Sequence, residues 1–313
     1  MMRKIEGIVI LGIIYLFGTA YAENSVNPRL TLIPGENYIC NMEMSKRVKQ
    51  TIGGTEQVME QNLKIAWDYD ILSKNDAGNY EISAKFSRIK SLQKFGMQTV
   101  EFDSDNLPEY IDPSMMGYKL LVGSELEMEM TPEGKVKGLS GFEEIIDKII
   151  ENLNIPESPQ RDEIIKGLRD QFGNEVMRQS FEQMTVFYPG RPVVVGDSWH
   201  NDFTIDVGFP MVVESDYTLV SRENGIADIN VASVIRSNPN SEGIDMGVFS
   251  LIYEIEGDQK GRIRLDESSG LPVQSDIQQS FSGTVSVSET SDFQERSWPI
   301  SAEGRVLISF ERK

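Results

Sequence analysis

DYDILSKNDAGNYEI at residues 68–82 and DYTLVSRENGIADI at residues 216–229 have the same form, although they lie far apart in the chain. In each, residues typical of strands flank a short turn that is rich in asparagine and glycine, which is the pattern of a β-hairpin. The sequence therefore predicts the same hairpin in two places.

The similarity continues on both sides of the hairpins. Upstream, residues 34–45 resemble residues 195–206, and each stretch has a glycine three positions before an aromatic residue. Downstream, residues 121–136 resemble residues 255–273. Matches in the same order indicate a duplicated unit, in which the first copy carries an additional loop at residues 104–117.

Apolar and polar residues alternate along much of both copies. Tyr38, Cys40 and Met42 share one side of a predicted strand, and Met128 and Met130 share one side of another. This period of two is typical of antiparallel strands with one buried face. The sequence thus predicts a mainly β (α+β) fold, with two pseudo-repeated, curved antiparallel β lobes bridged by a helical segment.

The bridging segment has the period of a helix. Between residues 140 and 153, apolar residues recur every three or four positions and form a broad stripe. Further helices are predicted from residue 164 to Gly173 and from Asn174 toward Pro189. We therefore divide the chain into a signal peptide, a first β lobe, a helical insert and a second β lobe, at residues 1–22, 23–139, 140–189 and 190–313.

The first residues have the form of a secretory signal peptide. Arg3 and Lys4 precede an apolar run, and small residues follow up to Ala22. Such a leader is removed on export, so we expect a protein of the periplasm or cell exterior that begins after Ala22. Cys40, the single cysteine, lies away from the cleavage point, which argues against a lipid anchor. No later stretch approaches about 20 apolar residues, so we expect no transmembrane span.

The chain is strongly acidic, with a formal net charge of −19. Such a field repels the phosphates of nucleic acids and anionic membrane surfaces. We expect no nucleic-acid partner, and the field favours cationic over anionic partners.

FGNEVMRQSFEQMTVFYPGRPVVVGDSW at residues 172–199, together with residues 128–149 and RSNPN at residues 236–240, resembles a family of exported bacterial proteins with an FGDE…FYP…VGDSW core. The resemblance covers nearly the whole chain after the leader, and residues 172–199 are its most specific part. That family has no assigned function. The resemblance therefore implies an exported protein of uncharacterised role, and it implies no catalytic residues.

The residues that most often carry catalysis are scarce. His200, the only histidine, alternates with the apolar side of its strand, so we expect it to face outward among acidic residues with a raised pKa. Cys40 shares the apolar side of its strand, which favours a buried thiol over a nucleophile. No G-x-S-x-G elbow is present, and one histidine cannot form a histidine-rich zinc site. We therefore predict no enzyme, no catalytic residue, no cofactor and no metal.

Carboxylates are the one group available in quantity for catalysis or metal binding. Glu125, Glu127 and Glu129 form a ladder on one strand, and EFDSDN at residues 101–106 places several carboxylates in a predicted loop. The loop lacks the glycine turn of an EF-hand. Calcium binding at surface carboxylates and a carboxylate pair of a carbohydrate hydrolase remain as alternatives.

Methionines are frequent and lie on the apolar side of strands and helices, where flexible thioethers suit adaptable surfaces. We hypothesise an exported binding or scaffolding protein of the cell envelope, whose partner is an apolar ligand held between sheet and helices or another envelope protein. Plain core packing, a carbohydrate hydrolase and a purely structural role are the alternatives, and the sequence gives no oligomeric state. The predicted ligand-binding residues are Met128, Met130, Phe142, Ile146, Ile149, Phe181 and Met184.

Overall fold

A computed structural model describes most of the chain, namely residues 25–107, 109–112, 115–153, 165, 174–185, 187–205, 210–241, 243–245, 249–287 and 297–313. Within these ranges, 13 strands form one antiparallel sheet. The expectation of a mainly β fold is confirmed. The predicted leader, residues 1–22, lies outside the described residues.

The described secondary structure consists of long strands and a few short helices. The strands are β1 (Asn37–Ile52), β2 (Thr55–Lys74), β3 (Tyr80–Phe95), β4 (Gln98–Asp103), β5 (Glu125–Met130), β6 (Val136–Ser140), β7 (Ser198–Ile205), β8 (Met211–Glu223), β9 (Ile226–Ser237), β10 (Ile244–Asp245), β11 (Ser250–Asp266), β12 (Pro272–Val287) and β13 (Ser297–Arg312). The helices are α1 (Met116–Leu121), α2 (Phe142–Leu153) and α3 (Asn174–Gln183).

The strand order is β6-β5-β3-β2-β1-β13-β12-β11-β9-β8-β7, with β4 beside β3 and β10 beside β11. The two predicted lobes are the two halves of this one sheet, because β13 pairs with β1 on one side and with β12 on the other. Both halves place their strands largely in chain order. Short hairpin connections also produce that order without any duplication, so the repeat and the domain boundaries stay predictions.

Both predicted hairpins, at residues 68–82 and 216–229, are confirmed. Between β2 and β3, the side-chain oxygen of Asn75 accepts hydrogen bonds from the backbone N–H groups of Ala77 and Asn79. Between β8 and β9, Asn224 and Gly225 have φ values of 53° and 77°. Positive φ at both central residues is the geometry that an Asn-Gly turn supplies most readily.

The insert and the long loop differ in detail from the expectation. Residues 98–103 form strand β4 beside β3, so the interpretation of residues 101–103 as loop was wrong. Helix α1 begins at Met116, inside the predicted loop. Helices α2 and α3 agree with two of the three predicted helices. The predicted helix from residue 164 to 173 lies outside the described residues, apart from Ile165.

The sheet is strongly curled, and the N-terminal residues 25–35, here called the clasp, hold the curl. The backbone N–H of Leu30 donates to the carbonyl of Pro132 at 2.7 Å, and that of Thr31 donates to Ser269 at 2.8 Å. Pro132 follows β5 and Ser269 precedes β12, and these strands are five steps apart in the order. In a flat sheet, five steps at about 4.8 Å each would separate them by about 24 Å. Leu30 and Thr31 are adjacent in the clasp, and each bonds to one of the two turns. The sheet is therefore curled enough to bring these turns close together.

Further contacts fix the same end of the sheet. The backbones of Val26 and Val193 exchange two hydrogen bonds of 2.8 Å. The hydroxyl of Tyr188 donates to the carbonyl of Gly270 at 2.7 Å, and that of Tyr80 donates to Leu30 at 3.3 Å. The clasp is therefore bonded to both halves of the sheet.

The curl gives the sheet an inner and an outer face. The larger apolar cluster lies on the inner face near the clasp and includes residues of both halves and of α2 and α3. A second apolar cluster lies on the same face toward the opposite ends of the strands, and it includes Val48, Val213 and Phe281. None of the helices in the described ranges is both long and apolar enough to cross a bilayer.

Gly270 tests whether the clasp is as tight as these bonds indicate. Its φ is +76°, and an added Cβ would lie 1.9 Å from the carbonyl oxygen of Arg29 in the clasp. Gly225 has a φ of +77° with nothing within 4 Å of an added Cβ, so it is a matched control. We expect Gly225→Ala to cost about 1 kcal/mol and Gly270→Ala to cost about 3 kcal/mol, because the clash adds to the backbone strain. Urea unfolding of both variants measures the difference, and equal costs would contradict a tightly docked clasp.

Candidate functional site

The central strands carry an apolar surface on the inner face that is only partly covered. These residues, here called the inner patch, are Met42, Met44, Ile65, Ile277, Ile308 and Phe310. They are contiguous, because Met42 pairs with Ile65 on β2 and with Ile308 on β13. Each is partly buried and packs against the larger apolar cluster.

Apolar residues on the same face of the strands to either side are buried near the level of the inner patch. Ile82 and Ile89 on β3 are 2% and 0% exposed, and Leu219 and Ile229 on β8 and β9 are both 0% exposed. The clasp and the described helices therefore cover the flanks of the inner face more completely than its centre. The inner patch is apolar surface that the described packing leaves partly open.

A row of polar residues crosses the inner face next to the inner patch. The row follows the pairing register from strand to strand and is here called the polar row: Gln93, Gln61, Lys46, Gly304, Gln279, Gln259, Ser233, Ser215 and Asn201. It lies between the two apolar clusters. Part of it is satisfied internally, since the hydroxyls of Ser215 and Ser233 are 2.8 Å apart and Asn201 donates to the carbonyl of Tyr188 at 3.1 Å.

Five rows of paired residues cross the inner face of the described sheet at Cys40, Met42, Met44, Lys46 and Val48, and Lys46 carries the only charge in them. Its neighbours on the same face of β1 are Met44, which packs against the larger apolar cluster, and Val48, which is part of the second. Burial lowers the pKa of the Lys46 ammonium, because a charged group is poorly solvated there.

A small apolar cavity of about 30 Å³ lies beneath α3, at the end of the inner patch. Phe310 of the patch lines it, together with Tyr69, Met130, Phe181 and Met184. This volume is far below the roughly 300 Å³ or more of an ordinary ligand pocket. The hydroxyl of Tyr69 is buried and has no hydrogen-bond partner among the described residues, and burial raises its pKa.

The structure brings most of the predicted ligand-binding residues together. Five of them are buried in the larger apolar cluster, namely Met128, Met130, Phe142, Ile146 and Phe181. Met184 is partly buried against that cluster, and the side chain of Ile149 lies outside what the structure describes. These residues pack the junction of sheet and helices, and their part in ligand binding stays a prediction.

Polar contacts join α3 and the residues after it to the edge of the sheet. The carboxylate of Glu182 accepts a hydrogen bond from the backbone N–H of Val136 at 2.9 Å. Arg178 donates to the carbonyl of Val136 at 3.3 Å, and the hydroxyl of Thr185 donates to the carbonyl of Gly134 at 2.6 Å. These contacts hold α3 against β6.

The sheet ends at β6 and β7, and a polar cleft of about 720 Å³ lies between these two edges. Glu133 and Lys135 line it from the β6 side, and Asp202 and Thr204 line it from β7. Helix α3 contributes Glu182. The gap between the edges is therefore lined by side chains, including those of α3, and the backbones of β6 and β7 do not pair across it.

The predicted positions of the histidine and the cysteine are confirmed. The His200 side chain is 56% exposed, and its Nδ1 lies 2.9 Å from the Asp216 carboxylate. That hydrogen bond raises the pKa of His200, and the charges of Asp216, Asp202 and Glu214 add to the effect. Cys40 is 0% exposed, and burial raises the pKa of its thiol well above the ordinary value.

The acidic clusters that the sequence singled out lie among local partners. Lys90 is 3.0 Å from Asp103 and 3.1 Å from Asp105. The backbone N–H of Asp105 and then Lys90 hold the pKa of Asp103 below its usual range. The side chains of Asn79 and Asn75 lower the pKa of Glu129 by hydrogen bonding.

Two further observations concern carboxylates and metal binding. Asp68 pairs with Lys313 at 2.9 Å. In the part of the chain that the structure describes, no three His, Cys, Asp or Glu side chains are grouped so that they could hold a metal ion.

The polar row is the feature that the sequence interpretation missed. Its signal is a polar residue at a position where the alternation of a strand calls for an apolar one, as at Lys46 between Met44 and Val48. The same break occurs once on each of several strands. Aligning these breaks requires the register between strands, which only the structure supplies.

A family of unknown function, DUF6263, matches residues 77–272, which is more than half of the 313-residue chain. The resemblance to a family without assigned function is thereby confirmed. No curated protein matches the chain.

Two solved structures show limited likeness to this chain. One is from a study of lipid-protein interactions in lipovitellin, with 8% identity and a TM-score of 0.46 over 90% of this chain. The match spans 26% of the lipovitellin chain, about a quarter of its length. The other is an outer membrane channel from Pseudomonas putida F1, with 4% identity and a TM-score of 0.22 over 90% of this chain and 97% of that one. At these TM-scores, neither likeness carries a functional argument.

Because His200 is the only histidine, its titration can be followed by NMR as a single imidazole signal. Asp216→Asn should lower the pKa of His200 toward its ordinary value, and Asp202→Asn should lower it less, because Asp202 acts without a direct hydrogen bond. Any stability that the raised pKa contributes is present below the unfolded-state pKa and is lost as pH rises through the folded-state pKa. An unchanged pKa in Asp216→Asn would contradict the hydrogen bond.

Proposed function

We propose, from the premise that this chain belongs to the DUF6263 family of unknown function, that it is an exported, non-enzymatic protein that holds an apolar ligand against the inner patch. The observation that carries the proposal is the partial burial of the patch between fully buried flanks. Apolar surface left in water costs about 25 cal/mol for each Å². A ligand that covers the patch would recover this free energy.

The form of the patch favours a flexible, chain-like ligand. It extends over β2, β1, β13 and β12, which at about 4.8 Å per strand gives a width of about 14 Å. Met42 and Met44 lie at its centre, and methionine side chains adapt to ligands of different shape. An acyl chain of a lipid has the matching chemistry, since it offers apolar contacts and requires no hydrogen bonds along its length.

Helix α3 supports this proposal as a movable cover. The cavity beneath it, about 30 Å³, is too small for such a ligand, but it adjoins the patch at Phe310. A shift of α3 away from β6 would join the cavity to the patch. Met130, Phe181 and Met184 would then line one continuous apolar site, as the sequence interpretation predicts.

The interior supports binding rather than catalysis as the proposed role. The inner face near the patch offers aliphatic, methionine and amide side chains, and the acidic clusters around Asp103 and Glu129 have local partners. The proposal therefore includes no catalytic step.

Export is proposed from the sequence of the leader. The apolar run and the small residues before Glu23 have the form that signal peptidase recognises. We expect the secreted protein to begin at Glu23, and intact-mass measurement of protein from the culture medium or periplasm checks this. A product that retains residues 1–22 would contradict export by cleavage.

The binding proposal is tested by filling the site. Met44→Trp adds bulk on the inner patch, and Glu43→Trp adds the same side chain on the outer face of the same strand. We expect the protein to bind N-phenylnaphthylamine, a neutral apolar fluorophore, and Met44→Trp to weaken binding about tenfold or more while Glu43→Trp leaves it within about twofold. Fluorescence titration measures both, with organic extraction and mass spectrometry of the purified protein to identify bound lipid. Absence of binding by the wild-type protein, or equal effects of the two variants, would contradict the proposal.

A further inference from the structure

We propose that the ligand is an amphiphile with one acidic headgroup, such as a long-chain carboxylic acid, and that Lys46 binds this headgroup while the chain lies on the inner patch. This inference rests on the proposed function, because it assigns a class of ligand to the same site.

The first argument is the position of Lys46. It is the next inward-facing residue after Met44 on β1, so Lys46 borders the inner patch. In the described rows from Cys40 to Val48, every other residue on this face is uncharged. An apolar surface with one cation at its border is complementary to a chain with one anion at its end.

The second argument is the arrangement of amide groups around Lys46. Gln61 lies directly opposite Lys46 on β2, and Gly304 lies opposite it on β13. Because Gly304 has no side chain, Gln279 from the next strand extends over it, and its Nε2 lies 3.5 Å from where a Cβ at residue 304 would be. The Nε2 of Gln61 donates one of its two hydrogens to the hydroxyl of Tyr118 at 3.5 Å. Its second N–H and the amide of Gln279 provide hydrogen-bond donors for the two oxygens of a carboxylate.

The third argument is the contrast between this site and the rest of the protein. The chain has a net charge of −19, and its overall field repels anions. Exposed charges are screened beyond about 8 Å at physiological salt, whereas a buried pair is screened much less. Lys46 therefore determines the local preference for charge on the inner face. Burial alone lowers its pKa, and a bound carboxylate would favour the charged form.

Lys46 also takes part in an interaction within the chain. The headgroup would therefore join or replace an existing contact. This predicts selectivity among ligands of equal chain length, because only an anionic head gains from the exchange. A neutral head would leave the existing contact in place and bind through the inner patch alone.

The test compares two fluorescent probes of equal chain length, cis-parinaric acid and its methyl ester. We expect the wild-type protein to bind the acid about tenfold or more tightly than the ester, as a charge-assisted hydrogen bond predicts. Lys46→Met should remove this preference by weakening the acid alone, and Lys46→Arg should retain much of it. Lys49→Met, on the outer face of the same strand, is the matched control and should bind both probes as the wild type does.

The outcomes separate the two proposals. If neither probe binds, the proposed function fails and this inference fails with it. If both probes bind the wild type equally, or if Lys46→Met keeps the preference for the acid, the apolar site stands and the role of Lys46 is overturned. Lys46→Met removes a partly buried ammonium group, whose desolvation costs free energy, and it also loses the contact that Lys46 makes within the chain. A urea unfolding curve verifies that this variant is folded.

Discussion

The curl of the sheet depends on two adjacent backbone hydrogen bonds, from Leu30 to Pro132 and from Thr31 to Ser269. They tie together turns that would lie about 24 Å apart if the sheet were flat. This constraint, together with the other contacts at the same end of the sheet, holds the two halves of the inner face together. Without it, the apolar sides of both halves would face water, and the larger apolar cluster would lose the contacts between them. The clasp thus converts a long ladder of strands into a fold with an interior.

The interior that results is not uniformly apolar, and this distinguishes it from a simple core. Buried amides cost free energy unless they are hydrogen-bonded, and a buried ammonium group costs more. A core selected only for stability would carry apolar residues at Lys46, Gln61 and Gln279. Places where a sequence departs from the pattern that stability favours are commonly functional. The polar row is such a place, and it adjoins the apolar surface that the packing leaves partly open.

The sequence predicts the local parts of this fold and not its long-range contacts. The turns at Asn75 and Asn224 are visible because asparagine and glycine determine a turn within a few residues. Strand β4 and helix α1 are too short to show a periodic pattern, and residues 101–103 and 116–117, which belong to them, have the composition of a loop. The clasp contacts and the alignment of Lys46 with Gln61 and Gly304 depend on pairings between distant strands, which one sequence does not specify. The helix–sheet junction was predicted from apolar stripes, but the border between apolar patch and polar row needs the register.

The same constraint indicates how a ligand would enter. Opening the sheet between paired strands would break many backbone hydrogen bonds at once, and the clasp secures the end near Gly270. The edges β6 and β7 are different, because the described sheet does not pair them and α3 lines the cleft between them. Three polar contacts join α3 and the turn after it to the sheet. Arg178 and Glu182 bond to the backbone of Val136, and Thr185 bonds to the carbonyl of Gly134. Elements held by few backbone hydrogen bonds open at the lowest free energy in a folded protein. Within the proposed function, movement of α3 is therefore the least costly way to join the partly open inner patch to the cavity beneath α3, and Lys46 lies at the far border of the patch, where it would meet the headgroup.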